Sequence, residues 1–192
     1  MVEGSRENCF QGRCGAIVVI KDRSFGSFRW LAVRNGKNGR DKALNMQREA
    51  GMEQRTVEDC RIIDLPKITN NKGNLTFVES GRHLPYEFRR VYYLYDIPGG
   101  AERGGHAHRE CHQFIIAVAG SFDVTVDDGQ STKKFHLNRS HMGLYICPAM
   151  WRVLDNFSSG AICLVFSSDF YDEADYWRNY DDFLAAVRGE SR

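Results

Sequence analysis

From residue 60 onward, apolar and β-branched positions come in short runs separated by turn-forming residues. The runs cover residues 60–65, 75–79, 90–96, 113–119, 122–126, 134–137, 143–146 and 161–166. Val91-Tyr92-Tyr93-Leu94-Tyr95 and Phe122-Asp123-Val124-Thr125-Val126 carry the aromatic and β-branched residues that suit a pleated, half-buried surface. Asp127-Asp128-Gly129 supplies the positive-φ backbone that closes a hairpin, and Asn71-Lys72-Gly73-Asn74 and Ser158-Ser159-Gly160 mark further turns. About eight such strands, spaced roughly 8–12 residues apart, predict an all-β sandwich or barrel. One helix closes the chain. Asp172 caps it, and Ala174, Trp177, Tyr180, Leu184 and Val187 recur at spacings of three and four. That apolar stripe is expected to pack on the outside of the barrel.

Residues 1–56 follow neither period. They hold 11 Lys/Arg against 6 Asp/Glu, whereas the remainder holds 15 against 19. Their apolar runs are Ala16-Ile17-Val18-Val19-Ile20 and Phe28-Arg29-Trp30-Leu31-Ala32-Val33, set among Gly, Asn, Arg and Lys. A segment this short cannot bury a core of its own, so it reads as a poorly ordered extension or an added pair of strands. A third reading takes residues 1–51 as upstream sequence, because Met52-Glu53-Gln54-Arg55-Thr56 leads directly into the first strand. On any of these readings the principal domain is 57–192.

Composition then narrows the function classes. At 192 residues the chain suffices for one good core, and a net charge of +1 lacks the basic excess of a general nucleic-acid surface. No apolar run reaches the roughly 18 residues of a membrane span, and the first residues lack the apolar stretch of a signal peptide. Cys9, Cys14, Cys60, Cys111, Cys147 and Cys163 show no CxxC pairing. Scattered thiols of this kind point to a reduced, cytoplasmic protein rather than a zinc or disulfide framework. Neither nucleic acid nor membrane is expected as a partner.

The densest chemistry lies in Gly99-Gly100-Ala101-Glu102-Arg103-Gly104-Gly105-His106-Ala107-His108. Residues two apart on a strand share a face, so His106 and His108 point to one side, and the glycines let the backbone bend just before them. Two surface histidines on a solvated edge strand are the plain alternative. Gly100, five intervening residues, His106-Ala107-His108 and the later Gly120 resemble the first motif of the cupin barrels. A metal-binding cupin would add a carboxylate four or five positions after the second histidine and a third histidine from a later strand. The corresponding positions carry His112 and Gln113, Glu110 falls too early, and the second motif reads Gly143, Pro148, Arg152, Asn156. Arginine is a permanent cation and cannot ligate a metal, so no metal is expected, although His112 leaves a third nitrogen within reach in sequence. Without metal, two imidazoles suit proton transfer near neutral pH, and Arg103 and Arg152 suit an oxyanion or phosphates. Such a set fits proton transfer beside a carbonyl through an enediol.

The wording around this segment resembles the nucleotide-sugar 3,4-ketoisomerases. The likeness rests on Arg90-Val91-Tyr92-Tyr93-Leu94-Tyr95-Asp96, Arg103-Gly104-Gly105-His106-Ala107-His108 and Gly143-Leu144-Tyr145-Ile146. It continues through Trp151, Asp155-Asn156-Phe157-Ser158-Ser159 and Ser167-Ser168-Asp169-Phe170-Tyr171-Asp172-Glu173-Ala174-Asp175-Tyr176, so it runs from about Val57 to Val187. The resemblance implies an all-β cupin jelly-roll barrel with a C-terminal α-helix, without a metal or other cofactor. It implies isomerisation of dTDP-4-keto-6-deoxy-glucose to the 3-keto sugar by a homodimer with exchanged N-terminal strands. By position it makes His106 and His108 the acid–base pair and gives Arg103 and Tyr92 a place in the same pocket. Arg152 and Lys72 fall where family members vary, and Tyr145 is either a ligand contact or barrel core.

An epimerase-like cupin acting on another nucleotide sugar and a non-catalytic sugar-binding cupin remain as alternatives. His106, His108 and Arg103 together favour catalysis, because binding alone needs no pair of proton-transfer groups on one face. For the first 51 residues, the start at Met52 predicts an intact mass of the native protein without them, and a product beginning at Met1 removes that reading.

Overall fold

The computed structural model describes residues 55–190, so the readings offered for residues 1–54 lie outside the described residues. Among the described residues twelve strands follow in chain order. They are β1 (Arg61–Asp64), β2 (Lys67–Asn70), β3 (Gly73–Thr76), β4 (Arg90–Leu94), β5 (Arg103–His108) and β6 (Gln113–Ala119). The second half holds β7 (Phe122–Asp127), β8 (Thr132–Leu137), β9 (Met142–Ile146), β10 (Trp151–Asp155), β11 (Ile162–Ser167) and β12 (Tyr176–Trp177). Among the described residues one α-helix, α1 (Tyr180–Val187), comes last. The strands form two five-stranded antiparallel sheets, β1-β9-β6-β11-β4 and β12-β5-β10-β7-β8, with the β2–β3 hairpin as a separate two-stranded sheet. The expected all-β architecture with a C-terminal helix is what the chain adopts. Among the described residues no helix is long and apolar enough to cross a membrane.

Alternation along the strands builds the core. On β7, Phe122, Val124 and Val126 are buried while Asp123, Thr125 and Asp127 are half-buried on the other face. They join Ile115, Leu144, Leu154 and Val165, drawn from both sheets, in one apolar cluster. The β7–β8 hairpin turns at Asp127-Asp128-Gly129 as expected, with Gly129 at φ 88°.

Four strands fall outside the apolar runs; β5 is expected from its His-X-His spacing, and the other three are not. Lys67–Asn70 has no apolar alternation because both its faces are exposed. Trp151–Asp155 alternates properly, but one of its inward positions is Arg152, which hides the strand from a hydrophobicity pattern. Tyr176–Trp177 was absorbed into the predicted helix.

That helix needs correcting at its start. Asp172 caps a short 3-10 turn, Glu173–Asp175, by accepting from the Ala174 amide. Tyr176 and Trp177 then extend to pair with His108 and Ala107 of β5, and the α-helix begins only at Tyr180, capped by Asn179. Strand pairing thus overrides the three-and-four spacing across Ala174 and Trp177. The helix still lies on the outer face of its sheet. Phe183, fully buried, meets Trp151 at 5.7 Å and Trp177 at 6.0 Å between ring centroids.

A bulge on β5 aims the two histidines. Arg152 stands opposite His106, but Val153 stands opposite Gly104, so Gly105 is the extra residue. Gly104 has φ +87°, and a Cβ there would lie 2.8 Å from the Arg152 carbonyl oxygen. Only glycine satisfies both the backbone angle and that close approach.

Candidate active site

At one end of the sandwich, polar side chains replace the apolar ones on both inner faces. His106 and His108 come from β5, Arg152 lies across the ladder from His106, and Tyr176 lies across from His108. The opposite sheet supplies Gln113, Ser167 and Arg90, which face one another in register, with Tyr92 two residues along β4. Partners in register share a face, so these side chains converge.

Hydrogen bonds join the two sheets through Arg152. Its Nη1 donates to the His106 carbonyl at 3.1 Å and its Nη2 donates to Gln113 Oε1 at 3.0 Å. Gln113 Nε2 then donates to the Tyr92 hydroxyl at 3.0 Å. The rings of His106 and His108 stand perpendicular with centroids 5.1 Å apart. The Tyr176 ring lies against both, at 5.0 Å and 4.3 Å. Arg178 covers the Tyr176 ring at 4.1 Å and is itself held by two hydrogen bonds to Glu173.

Arg152 is 1% exposed, and its two bonded partners are a carbonyl and a carboxamide, so its charge meets no carboxylate in contact. A guanidinium in that setting keeps its charge and projects it onto its neighbours. Burial pulls His106 down to about 3, with Arg152 as the next cause. Burial, then Arg152 and then His106 push His108 below the usual histidine range as well. Both rings are therefore neutral at neutral pH.

Their tautomers follow from their partners. His106 Nδ1 lies 3.1 Å from the Gly104 carbonyl oxygen, which can only accept, so Nδ1 carries the proton. His108 Nδ1 lies 2.7 Å from Asp175 Oδ2 and donates in the same way. Each Nε2 is left with a lone pair, buried and without a hydrogen-bond partner, and Arg90 Nε and Arg152 Nε share that condition. Buried polar atoms are nearly always partnered, so four unpartnered nitrogens at one place mark a site built for a ligand. Two neutral bases beside a fixed cation can take a proton from carbon and hold the negative charge that results.

Four of the residues singled out from the sequence meet here: His106, His108, Arg152 and Tyr92. Arg103 lies at the exposed start of the same strand. Lys72 sits at the exposed turn of the β2–β3 hairpin. Tyr145 is not brought to the histidine pair. Its register partner is Phe114, so it faces away from Gln113, and its hydroxyl lies 2.8 Å from His112 Nδ1. Tyr86 stacks on His112 at 5.4 Å, and the Arg61 guanidinium lies 5.0 Å from the Tyr145 ring centroid. His112, the remaining candidate for a third metal ligand, therefore belongs to this second cluster.

Arg90, Gln113, Ser167, Asp175 and Tyr176 were not singled out as site residues. Gln113 stands where a cupin would place a metal-binding carboxylate, and its spacing from His108 is the signal that points to it. Asp175 and Tyr176 were masked by the helical reading. The metal positions of a cupin are occupied by Gln113 and Arg152, bonded to each other, and a buried guanidinium opposes a divalent cation in the same pocket. His108, Cys111 and Asp175 do bring three donor atoms within 4.8 Å, but His108 and Asp175 are already bonded to one another.

Residues 58–188 match the family described as FdtA: WxcM-like, C-terminal. The TDP-4-oxo-6-deoxy-alpha-D-glucose-3,4-oxoisomerase of Aneurinibacillus thermoaerophilus is 38% identical over 123 residues, 64% of this chain and 88% of that protein. Among solved structures, the TDP-quinovose 3,4-ketoisomerase WlaRB of Campylobacter jejuni is 46% identical, covering 66% of this chain and 98% of that chain, with a TM-score of 0.64. The sugar 3,4-ketoisomerase QdtA of Thermoanaerobacterium thermosaccharolyticum, solved in complex with TDP, is 33% identical. That match covers 70% of this chain and 98% of the other, with a TM-score of 0.68.

The electrostatics predict a pH response. The folded-state pKa of His106 is depressed below its unfolded value of about 6.5, so folding is favoured above that pH and weakens as pH falls towards 3. Histidine NMR titration should show His106 and His108 neutral from pH 8 down to 5. In Arg152→Met both titrations should move upward. A wild-type His106 that titrates near 6.5 would contradict the account.

Proposed function

This chain belongs to the FdtA family, WxcM-like, C-terminal, and from that membership and its pocket we propose that it isomerises TDP-4-keto-6-deoxyglucose to the 3-keto sugar. The observation that carries the reading is the pair of bare, buried Nε2 atoms of His106 and His108 beside the uncompensated charge of Arg152. One histidine Nε2 takes the proton from C3. The electron pair of that bond forms the C3–C4 double bond, and the carbonyl electrons move onto O4. Arg152 offsets the negative charge of this enediolate. A proton is then delivered to C4, the hydroxyl proton leaves O3, O4 is protonated, and the carbonyl now stands at C3. Tyr92 orients the sugar through the same hydrogen-bond chain, and Arg103 at the rim meets the diphosphate. Gln113 and Arg152 at the metal positions support catalysis without a metal, which predicts full activity after exhaustive chelation.

We further propose that 57–192 is the catalytic domain and that it works in the cytoplasm, where the buried Cys60 and Cys147, 3.9 Å apart, remain thiols. A homodimer with exchanged N-terminal strands is supported by the exposed apolar residues of the β2–β3 hairpin, Ile68 at 54% and Leu75 at 55%. A two-stranded hairpin is marginal in water, and seating it on a second copy would cover both residues and bring Lys72 towards that copy. Light scattering should give a dimer mass, and the double variant Ile68→Glu, Leu75→Glu should shift it to monomer. An active wild-type monomer would remove the exchange.

The reaction itself is tested by incubating the protein with TDP-4-keto-6-deoxyglucose in D2O. Deuterium should enter the carbons that exchange protons, and NMR should show the 3-keto product. His106→Asn and His108→Asn should each lower the rate by about 100-fold or more. Binding without any exchange would leave the non-catalytic sugar-binding alternative in its place.

A further inference from the structure

We propose that Asp175 is a positioning residue that keeps the His108 proton on Nδ1 and so turns the Nε2 lone pair into the pocket. The inference deepens the ketoisomerase reading and rests on it for its kinetics, but separate geometry carries it. Asp175 Oδ2 accepts from His108 Nδ1 at 2.7 Å, and its other oxygen, Oδ1, accepts from the Glu110 backbone N–H at 2.8 Å. The Asp175 carbonyl accepts from the Arg109 amide at 2.8 Å, and the next residue, Tyr176, pairs with His108 in the ladder. Asp172 caps the 3-10 turn that ends at Asp175. The carboxylate is thus held on both oxygens, by the imidazole and by the Glu110 amide, while its own backbone is fixed by Arg109 and by the pairing of Tyr176 with His108.

The need for it lies in the charges around His108. Arg152, Arg90 and Arg178 all oppose a positive ring there, and His106 adds to them. When Nε2 takes a proton, the resulting imidazolium forms among these cations, with the Asp175 carboxylate in direct contact on the opposite nitrogen. Asp175 also borders a cleft of about 380 Å³ with Arg109, Glu110, Asp169 and Asp172, so groups of both signs face it from behind. Burial raises its pKa from the ordinary value.

The orientation of Asp175 makes the test sharp. In Asp175→Asn the Glu110 N–H still needs an acceptor, so the amide oxygen stays at the Oδ1 position and the NH2 faces His108 Nδ1. That NH2 can only donate, which forces the His108 proton onto Nε2 and removes the lone pair from the pocket. The experiment uses the full chain with 15N-labelled histidine and two-bond 1H–15N spectra between pH 8 and 6. Wild type should show His108 protonated on Nδ1, and Asp175→Asn should show it protonated on Nε2. With TDP-4-keto-6-deoxyglucose, Asp175→Asn should lower kcat by at least about tenfold with KM within about twofold, and Asp175→Glu should recover part of it. A wild-type His108 protonated on Nε2 overturns the proposal. So does an Asp175→Asn protein with unchanged tautomer and kcat, or one that changes KM alone. If Asp175→Asn fails to fold, the wild-type tautomer still decides. If wild type lacks isomerase activity, the proposed reaction fails, while the spectra judge Asp175 independently.

Discussion

The buried guanidinium of Arg152 is the constraint around which the pocket is arranged. It is the largest fully buried side chain of the described residues, and it ties the His106 carbonyl on one sheet to Gln113 on the other. An unpaired buried cation is costly, and removing apolar contacts from a core position adds to that cost. The chain tolerates it because the two bonds it makes also position the groups that define the pocket. Burial, reinforced by its field, keeps both imidazoles neutral, and neutral imidazoles are what a proton abstraction from carbon requires. Stability and chemistry therefore meet in one side chain, and the stability forgone there has to come from the apolar core below it.

Much of this was legible in the sequence, and the parts that were not share a cause. The β segments around Val91–Tyr95 and 122–126 announced themselves by their aromatic and β-branched residues, which suit a surface with one face on the core. The strand carrying Arg152 did not, since a charged residue occupied the inward position that alternation reserves for an apolar one. The His106–His108 pair was readable from spacing of two, but its surroundings were not. Gln113, Ser167 and Arg90 become neighbours only when β6, β11 and β4 align in register, a long-range fact that no local window contains. Tyr176 and Asp175 were obscured differently. They lie between Ala174 and Trp177, whose three-and-four spacing with Tyr180 is helical, yet tertiary pairing with β5 outweighed it.

Tyr145 shows the same limit from the other side. Its place in a motif suggested the pocket, whereas its register against Phe114 turns it to the opposite face, where His112 and Tyr86 receive it. A shift of one position along a strand exchanges the two faces, so a motif fixes which strand a residue belongs to before it fixes which side it serves. The distinction separates His112 from Gln113, adjacent in sequence and committed to different clusters.

The bond between His108 and Asp175 spans 67 residues of chain. At a synthesis rate of roughly 5–20 residues per second, the carboxylate follows the imidazole from the ribosome by several seconds. For that interval the histidine strand has neither Asp175 nor the short β12 partner beside it. The sandwich can begin to assemble on its apolar core during this time, but its acid–base centre cannot. Competence thus waits for the stretch from Asp172 to Trp177, and a polypeptide cut short near residue 170 would keep eleven of the twelve strands while lacking the groups that make His108 useful.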